Sequence, residues 1–236
     1  MKNRGKILLG AAAAGVIILV GIYLYRGYLG RRSASVITFL HAPEEHAEWK
    51  MNALSRCGEA PFRFPSEGYV GYLWGDSFRP FHKHQGIDIF AGTDVGVTPV
   101  YAPYDGYLTR EEGWKSSLII RVPDDPLNPG TQIWLYMTHL ADPLGNSLIS
   151  EAFPAGTQDK PVHTGDLLGY QGNYSGNPGS PTGVHLHFSI VRDDGSGNYL
   201  NELEFANTLD PSPYFNLPLN GKSNRDTIPL CSSADN

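Results

Sequence analysis

Hydrophobic and polar residues alternate strictly along the segment GVHLHFSI at residues 183–190. A period of two is typical of a half-buried β-strand, because successive side chains of a strand point to opposite faces. On such a strand His185 and His187 share one face. Two imidazoles on one face indicate a metal site or acid–base chemistry, although a solvated strand face would show the same pattern. The other face consists of Val184, Leu186, Phe188 and Ile190.

Short β-type runs of this kind follow one another from about residue 62 onward, separated by turns rich in glycine and proline. Examples are GYVGYLW, GIDIF, SSLIIRV and QIWLYMT. Because no helical pattern lies between these runs, the spacing predicts a mainly β domain built on an antiparallel sheet. The loops at 123–130 and 171–183 are rich in Gly, Pro, Asn and Ser, and long loops in compact domains are often functional.

The first 32 residues differ from the rest because they contain a long uncharged apolar stretch. Residues 7–25 are 19 consecutive positions without a charged residue or a proline. As a helix this stretch would be about 28 Å long, close to the hydrocarbon thickness of a bilayer. Three basic residues flank each end, and the exit lacks the small-residue cleavage site of a signal peptide. We therefore predict a single uncleaved transmembrane helix in a membrane anchor at residues 1–32, in an orientation that the charges leave open.

The pattern divides the remaining chain into three parts. Residues 42–57 carry Pro43 near their start, acidic residues in the first turn and Arg56 near their end, which are start and stop signals of a helix. We therefore predict a juxtamembrane helix and linker at residues 33–61, followed by the β domain at 62–215. The polar remainder, 216–236, contains two prolines and is predicted to be an extended tail.

The charge of the part that follows the anchor disfavours nucleic-acid binding. Residues 33–236 hold 12 of the 18 Lys and Arg residues and all 24 Asp and Glu residues, which gives a net charge of −12. No basic stripe interrupts this acidic composition. The only two cysteines are Cys57 and Cys231, too few for a thiolate zinc site. They form either a disulfide outside the cytoplasm or two unrelated buried thiols.

A second segment, HKHQGIDIF at 82–90, carries an imidazole and a carboxylate of the same parity. On a strand His84, Gly86 and Asp88 would point to one face, with the glycine leaving space between the other two. Imidazole and carboxylate are both zinc ligands, and one imidazole from the His-x-His strand would bring the number of protein ligands to three. Three is the number expected of a catalytic zinc with an open position. The alternative is that Asp88 caps a turn and His84 is solvated.

A third segment, WLYMTHLADP at 134–143, ends a β-type run with His139, and Tyr136 stands three residues earlier. Together the three segments resemble the lysostaphin-type (LytM-like) zinc endopeptidases, which cut the peptide bridges of bacterial peptidoglycan. The signature of that family is His-x-Gly-x-Asp, a Tyr-x-x-His-Leu-like segment and His-x-His on a strand. Here the three read HQGID, YMTHL and HLHF in the family's order. The resemblance runs from about residue 68 to 190.

The resemblance implies a lysostaphin-like fold with a catalytic groove and one Zn²⁺ per chain. His84, Asp88 and His187 would bind the metal, and His139 and His185 would be the catalytic pair beside it. Weaker candidates for contacts with the substrate or with the ligands are Tyr136 and His82.

The implied function is that of a membrane-anchored zinc metalloendopeptidase that hydrolyses peptide cross-links of peptidoglycan outside the cytoplasm. Two alternatives remain open. A zinc-binding module could grip peptidoglycan or activate another hydrolase without cutting, although the complete set of ligands and histidines disfavours it. A carboxypeptidase-like zinc enzyme with similar ligands would trim free peptide ends instead.

Overall fold

The computed structural model describes residues 15–21, 30–77 and 82–231 of the chain. Within these ranges no helix is both long enough and apolar enough to cross a membrane. The anchor predicted at residues 1–32 lies mostly outside the described residues, and the described parts of it, 15–21 and 30–32, are helical. The transmembrane helix therefore stays a prediction from the sequence.

Eleven short strands form the framework of the fold within the described residues. They are β1 (Lys50–Met51), β2 (Gly68–Tyr72), β3 (Ile87–Phe90), β4 (Pro99–Tyr101), β5 (Gly106–Arg110), β6 (Leu118–Val122), β7 (Ile133–Thr138), β8 (Thr157–Val162), β9 (Leu167–Tyr170), β10 (Leu186–Arg192) and β11 (Thr208–Leu209). Eight of them form a sheet in the order β1-β2-β3-β10-β7-β6-β5-β8, which β11 extends by pairing with β10. Strands β4 and β9 form a separate pair. All these pairings are antiparallel, so the predicted mainly β, antiparallel fold is confirmed.

Strand β10 lies at the centre of the sheet, between β3 and β7. As the alternating pattern predicted, one face of β10 packs into the main hydrophobic core, where Leu186, Phe188 and Ile190 are fully buried. The opposite face, with His187 and Ser189, is buried as well. The strand is therefore not half-buried, and the solvated-face interpretation of its histidines is wrong.

The helix predicted at residues 42–57 differs from the helices that the structure shows between the predicted anchor and the sheet. Helix α1 spans Gly30–His41, and a short 3-10 helix spans Pro43–Trp49 before β1 begins. The helix predicted at 42–57 is therefore wrong beyond Trp49. A residue that precedes proline is disfavoured in the α conformation, and Ala42 accordingly ends α1 with φ −146° and ψ 62°.

Helix α1 packs against the sheet through one apolar side. Val36 and Phe39 are buried in a small cluster with Tyr69 of β2 and Phe90 of β3. The rings of Phe39 and Tyr69 are 5.1 Å apart at their centroids. Helix α1 therefore lies against β2 and β3, which stand before the central strand β10 in the order of the sheet.

The C-terminal segment is attached to the domain rather than free. It follows a single helical turn, α2 (Ser212–Phe215), and its residues Leu217 and Leu219 are buried in the main core. A disulfide joins Cys57 to Cys231, with their Cα atoms 5.1 Å apart. The described part of the predicted tail, 216–231, contains no helix or strand and packs on the domain.

Candidate metal and catalytic site

Three neighbouring strands bring two of the predicted ligands and one predicted catalytic residue to the same point of the sheet. Asp88 of β3 lies directly opposite His187 of β10. On the other side of β10, His187 lies opposite Thr138, the last residue of β7, and His139 follows it immediately. Antiparallel register therefore places side chains close together that are about 100 residues apart in the sequence.

His84 reaches the same point by a different route than predicted. It lies before β3, which begins at Ile87, so strand parity does not explain its position. Instead, a tight turn holds its main chain: the His84 amide donates to Asp76 O at 2.7 Å, and the Gly75 amide donates to His84 O at 2.8 Å. The Asp76 carboxylate accepts a hydrogen bond from the Leu73 amide within the same turn.

The three predicted metal ligands form one compact cluster. His84 Nε2 lies 3.1 Å from Asp88 Oδ1 and 3.0 Å from His187 Nδ1. His187 Nδ1 lies 2.8 Å from Asp88 Oδ1. All three side chains are buried, and within the described part of the chain this is the one group of His, Cys, Asp or Glu with metal-binding geometry.

The nitrogen of each clustered imidazole that points away from the cluster has its own partner. His84 Nδ1 lies 3.1 Å from the main-chain oxygen of Leu73, to which it can donate. His187 Nε2 lies 3.0 Å from Oε1 of Glu202, so it can donate to that carboxylate. Glu202 could not be predicted from the sequence, because it stands in the loop between β10 and β11 with three other acidic residues and belongs to no motif.

His139 has an unusual main-chain conformation. Its φ of 73° lies in the left-handed region, which a non-glycine residue rarely adopts. This conformation directs the imidazole of His139 into the cavity around the ligand cluster, where Nδ1 can donate to the main-chain oxygen of Tyr174 at 2.7 Å. Rare conformations of this kind persist only where the surrounding structure imposes them, and they are concentrated at functional sites.

His185 stands next to His139, with the ring centroids 4.4 Å apart. Its Nδ1 can donate to the main-chain oxygen of Gly183 at 2.7 Å. Its ring stacks on Phe90 with a centroid distance of 4.8 Å, and its Nε2 lies 3.7 Å from Asp88 Oδ1. In each histidine of this pair, Nδ1 is engaged by a main-chain carbonyl and Nε2 is the nitrogen left for the cavity.

The ligand cluster is stabilised as an assembly of opposite charges. Burial alone would raise the pKa of Asp88, but the charges of His84 and His185 and the hydrogen bonds from His187 and His84 lower it well below its ordinary value. Burial likewise opposes protonation of His187, yet its hydrogen bonds to Asp88 and Glu202 raise its pKa to about 10. A proton at His187 Nδ1 thus occupies the position at which a cation would be held, and metal binding would displace it.

The histidine pair has the opposite electrostatics. Burial, followed by the charge of the neighbouring His185, lowers the pKa of His139 to about 3. Burial also lowers the pKa of His185, and the charge of Asp88 and the hydrogen bond to Gly183 offset this effect only in part. Both imidazoles are therefore neutral at pH 7, with Nε2 able to accept a proton.

A cavity of about 620 Å³ contains all five of these side chains. The two weaker candidates also line it. Tyr136 of β7 lies on the same face of the sheet, but its hydroxyl is engaged with Ser117 Oγ at 3.0 Å. His82 also lines the cavity and stands two residues before His84 in the sequence. The cluster, the pair, Tyr136 and His82 thus all line one cavity.

Two glycines allow the close main-chain approaches behind the site. A Cβ at Gly86 would lie 2.1 Å from Phe188 O of β10, so the glycine is required by the main chain of the neighbouring strand. A Cβ at Gly172 would lie 2.2 Å from Ala141 O and 2.4 Å from His139 O. Gly86 therefore sets the approach of the ligand segment to β10, and Gly172 sets the position of the His139 turn.

The cluster fits a zinc ion. Two imidazole nitrogens and one carboxylate oxygen are a ligand set of catalytic zinc sites with an open fourth position. Tetrahedral zinc with bonds of about 2.0–2.1 Å would separate its donor atoms by roughly 3.3 Å, and the separations here are 2.8–3.1 Å. Metal-bound histidines almost always donate their second N–H to a carboxylate or a main-chain carbonyl, as both imidazoles of the cluster can.

Comparisons with known proteins returned structures but no sequence matches. No protein-family model matches the chain, and no curated protein matches it. Among solved structures, it is similar to the peptidase lysostaphin from Staphylococcus simulans, with 19% identity over 63% of this chain and 49% of lysostaphin, at a TM-score of 0.41.

Two further solved structures are similar to the chain at the same level. Csd3 from Helicobacter pylori is 16% identical over 77% of this chain and 38% of Csd3, with a TM-score of 0.39. A candidate glycyl-glycine endopeptidase, LytM from Ruminococcus gnavus, is 23% identical over 62% of this chain and 59% of that protein, with a TM-score of 0.37. The match thus spans only about two fifths to three fifths of these proteins.

Proposed function

We propose that this chain is a zinc metallopeptidase that hydrolyses peptide cross-links of bacterial peptidoglycan. The observation that supports it best is the placement of two chemically different groups in one cavity. A buried cluster of His84, Asp88 and His187 has the donor atoms and spacing that zinc requires. A neutral histidine pair, His139 and His185, stands beside it with a ring separation of 4.4 Å. The type of substrate comes from the motifs that the chain shares with lysostaphin-type peptidases.

Peptide hydrolysis needs an activated water molecule and stabilisation of the negative charge that develops on the carbonyl oxygen. Zinc held by the cluster would lower the pKa of a water molecule and polarise the carbonyl. Proton transfer then falls to the chain's own side chains. His139 and His185 are neutral and direct Nε2 to the cavity, so either can accept a proton from water and return it to the leaving amine.

The partners of the histidine pair suit this role. When Nε2 takes up a proton, the imidazole becomes cationic, and the charged form is favoured by the hydrogen bond that Nδ1 donates to a carbonyl. That partner is Tyr174 O for His139 and Gly183 O for His185. The same hydrogen bonds fix the tautomer and the ring orientation of both side chains. No glutamate or aspartate is needed as the base.

The disulfide supports a location outside the cytoplasm. Disulfides such as that between Cys57 and Cys231 form and persist in oxidising compartments. We place the domain on the outer side of the membrane, where peptidoglycan lies, with the apolar stretch at residues 7–25 as its anchor. A fused reporter that is active only in the cytoplasm would contradict this placement.

The decisive experiment is digestion of purified peptidoglycans of several cross-link types by the full chain in detergent. We expect new amine termini and, by mass spectrometry, fragments released by cuts within the cross-links. The matched control is His139→Ala, which keeps the ligand cluster and removes one of the pair. Binding to peptidoglycan without new amine termini would instead identify a non-cutting module. Release of terminal residues alone would identify a carboxypeptidase-like enzyme.

A further inference from the structure

Glu202 is a largely buried carboxylate that faces the outer side of a proposed zinc ligand. Its Oε1 lies 3.0 Å from His187 Nε2 and accepts a second hydrogen bond, from Ser189 Oγ, at 3.0 Å. The side chain of Glu202 is only 14% exposed. Ser189 is fully buried and lies two residues after His187 on the same face of β10. Two donors from one strand therefore converge on one carboxylate oxygen.

The loop that carries Glu202 is anchored on both sides. Within the loop, the Leu203 amide donates to Asn201 Oδ1 and the Asn207 side chain donates to Asn201 O. From outside the loop, Gln85 Nε2 donates to Leu203 O at 3.0 Å. Gln85 is the residue next to His84, so the Glu202 loop is attached to the segment that supplies another proposed ligand.

We propose that Glu202 is a positioning residue that fixes the tautomer and orientation of His187, so that Nδ1 presents its lone pair to the metal. The inference rests on the zinc site proposed above. A neutral imidazole carries one N–H, and a carboxylate at Nε2 favours the tautomer whose hydrogen is there. In that tautomer Nδ1 has no hydrogen and lies beside His84 and Asp88, where the cation would be held.

The geometry argues against Glu202 being a ligand itself. Within the cluster, the donor atoms of His84, Asp88 and His187 all lie within 4.8 Å of one another, and no oxygen of Glu202 belongs to that group. Glu202 instead contacts the nitrogen on the far side of the His187 ring. Its effect on the metal would therefore pass through His187.

Zinc affinity of the full chain in detergent, measured by competition with a chromophoric chelator, tests the inference. We expect Glu202→Gln and Glu202→Ala to weaken zinc binding about 10–100-fold, the range found when such partners of metal-bound histidines are removed. The glutamine variant keeps the size of the side chain, so it carries the test if the alanine variant does not fold. The matched control is Glu204→Gln, an exposed acidic residue of the same loop, which should bind zinc like the unchanged chain.

A second readout separates positioning from catalysis. At saturating zinc, Glu202→Gln should regain most of its rate, because the metal then selects the correct tautomer. In the protein loaded with ¹¹³Cd²⁺, coupling to ¹⁵N should identify His187 Nδ1 as the ligand atom. Unchanged zinc affinity in Glu202→Gln, or coupling through Nε2, would overturn the inference while leaving the zinc site intact. If the unchanged chain bound no zinc, the proposed function would fail first.

Helix α1 carries a second inference, based on different contacts. Val36 and Leu40 line the cavity that holds the site, although they precede the β domain in sequence. Val36 is buried, and a Cβ at Gly71 of β2 would lie 2.7 Å from it. Leu40 is 39% exposed and lies near Gly183, the residue whose carbonyl holds His185. The helix thus forms one wall of the cavity rather than a spacer.

The same helix is connected to the turn that holds His84. Arg32 Nε lies 3.1 Å from Asp76 Oδ2, and both side chains are largely buried. Asp76 O accepts the hydrogen bond from the His84 amide. A fragment that began at residue 33 would lose this ion pair.

We infer that Leu40 is a substrate-contacting residue of the groove, a further statement that rests on the proposed peptidase function. The test compares cleavage of soluble cross-linked muropeptides by Leu40→Ala and Ile37→Ala variants. Ile37 is on the same helix and 55% exposed, but it does not line the cavity. We expect a several-fold higher KM with an unchanged kcat for Leu40→Ala, and wild-type constants for Ile37→Ala. If both variants cleave with the same KM and kcat, the inference about Leu40 is wrong, whereas the proposed peptidase function is unaffected.

Discussion

The ligand cluster and the histidine pair lie side by side in one cavity, yet His187 of the cluster has different partners from both histidines of the pair. The outer partners of the pair are main-chain carbonyls, whereas His187 of the cluster is held between two carboxylates, Asp88 and Glu202. Carboxylates raise the pKa of His187 to about 10, whereas burial lowers that of His139 to about 3. The two carboxylates around His187 therefore suit this imidazole to a cation, whereas the buried imidazole of His139 stays neutral and suits proton transfer.

The largest effect is expected from removing a ligand of the cluster. His187→Ala deletes one of three proposed donors and leaves Asp88 and Glu202 without their shared partner. Zinc and activity should therefore be lost together. Metal content by elemental analysis and release of amine termini from peptidoglycan measure both. Normal zinc content in this variant would remove the distinction between cluster and pair.

Changes in the histidine pair should separate zinc from rate. His139→Ala and His185→Ala leave all three proposed ligands in place, so zinc should stay largely bound. The rate should fall about 10²–10⁴-fold, because a positioned acid or base typically contributes that much. The measurements are the same two as for His187→Ala, made in parallel. If His185→Ala loses zinc as fully as His187→Ala, both residues are ligands and the comparison drawn here is wrong.

The sequence predicted the sheet and the shared face of His185 and His187 because strand alternation is a local property. It also predicted which residues would meet, since their motifs resemble those of a known family. It could not predict the partners that distinguish the two groups. The carbonyls of Tyr174 and Gly183 are main-chain groups with no sequence signal. Glu202 is one of four acidic residues in the loop between β10 and β11, and only the folded loop selects it.

The prediction of His84 shows a different limit. Parity placed it on a strand with Asp88, and it does meet Asp88, with Nε2 3.1 Å from Oδ1. The reason is a turn around Asp76, which is held by contacts to α1 and to the Leu73 amide. A long-range arrangement of this kind leaves no periodic pattern, so the predicted neighbours were right and the local structure was wrong.

Two glycines offer a matched test of how far the groups are independent. Gly86→Ala would push against Phe188 O and should separate His84 from β10, which weakens zinc binding. Gly172→Ala would push against His139 O and should lower the rate while zinc stays bound. Overpacking of this kind costs about 1–3 kcal/mol of folding free energy, so the variants are compared below their unfolding temperatures.

Gly113→Ala is the control for both substitutions, because a Cβ there meets nothing within 4 Å. It should match the unchanged chain in zinc affinity, rate and thermal stability. If Gly172→Ala loses zinc to the same extent as Gly86→Ala, the cluster and the pair are coupled through the sheet rather than positioned separately.

The smallest effect on either group is expected from the disulfide. Cys57 and Cys231 are 174 residues apart in sequence and do not line the cavity. Replacing both with serine should lower the free energy of unfolding by about 2–5 kcal/mol, because the bond restricts the unfolded chain. Urea denaturation measures this loss, and zinc affinity and peptidase rate at 25 °C should change less than about twofold. Serine replacement avoids thiol reductants, which bind zinc themselves. Loss of zinc in the folded variant would show that the C-terminal segment positions the cluster, and the independence argued from the local partners would then fail.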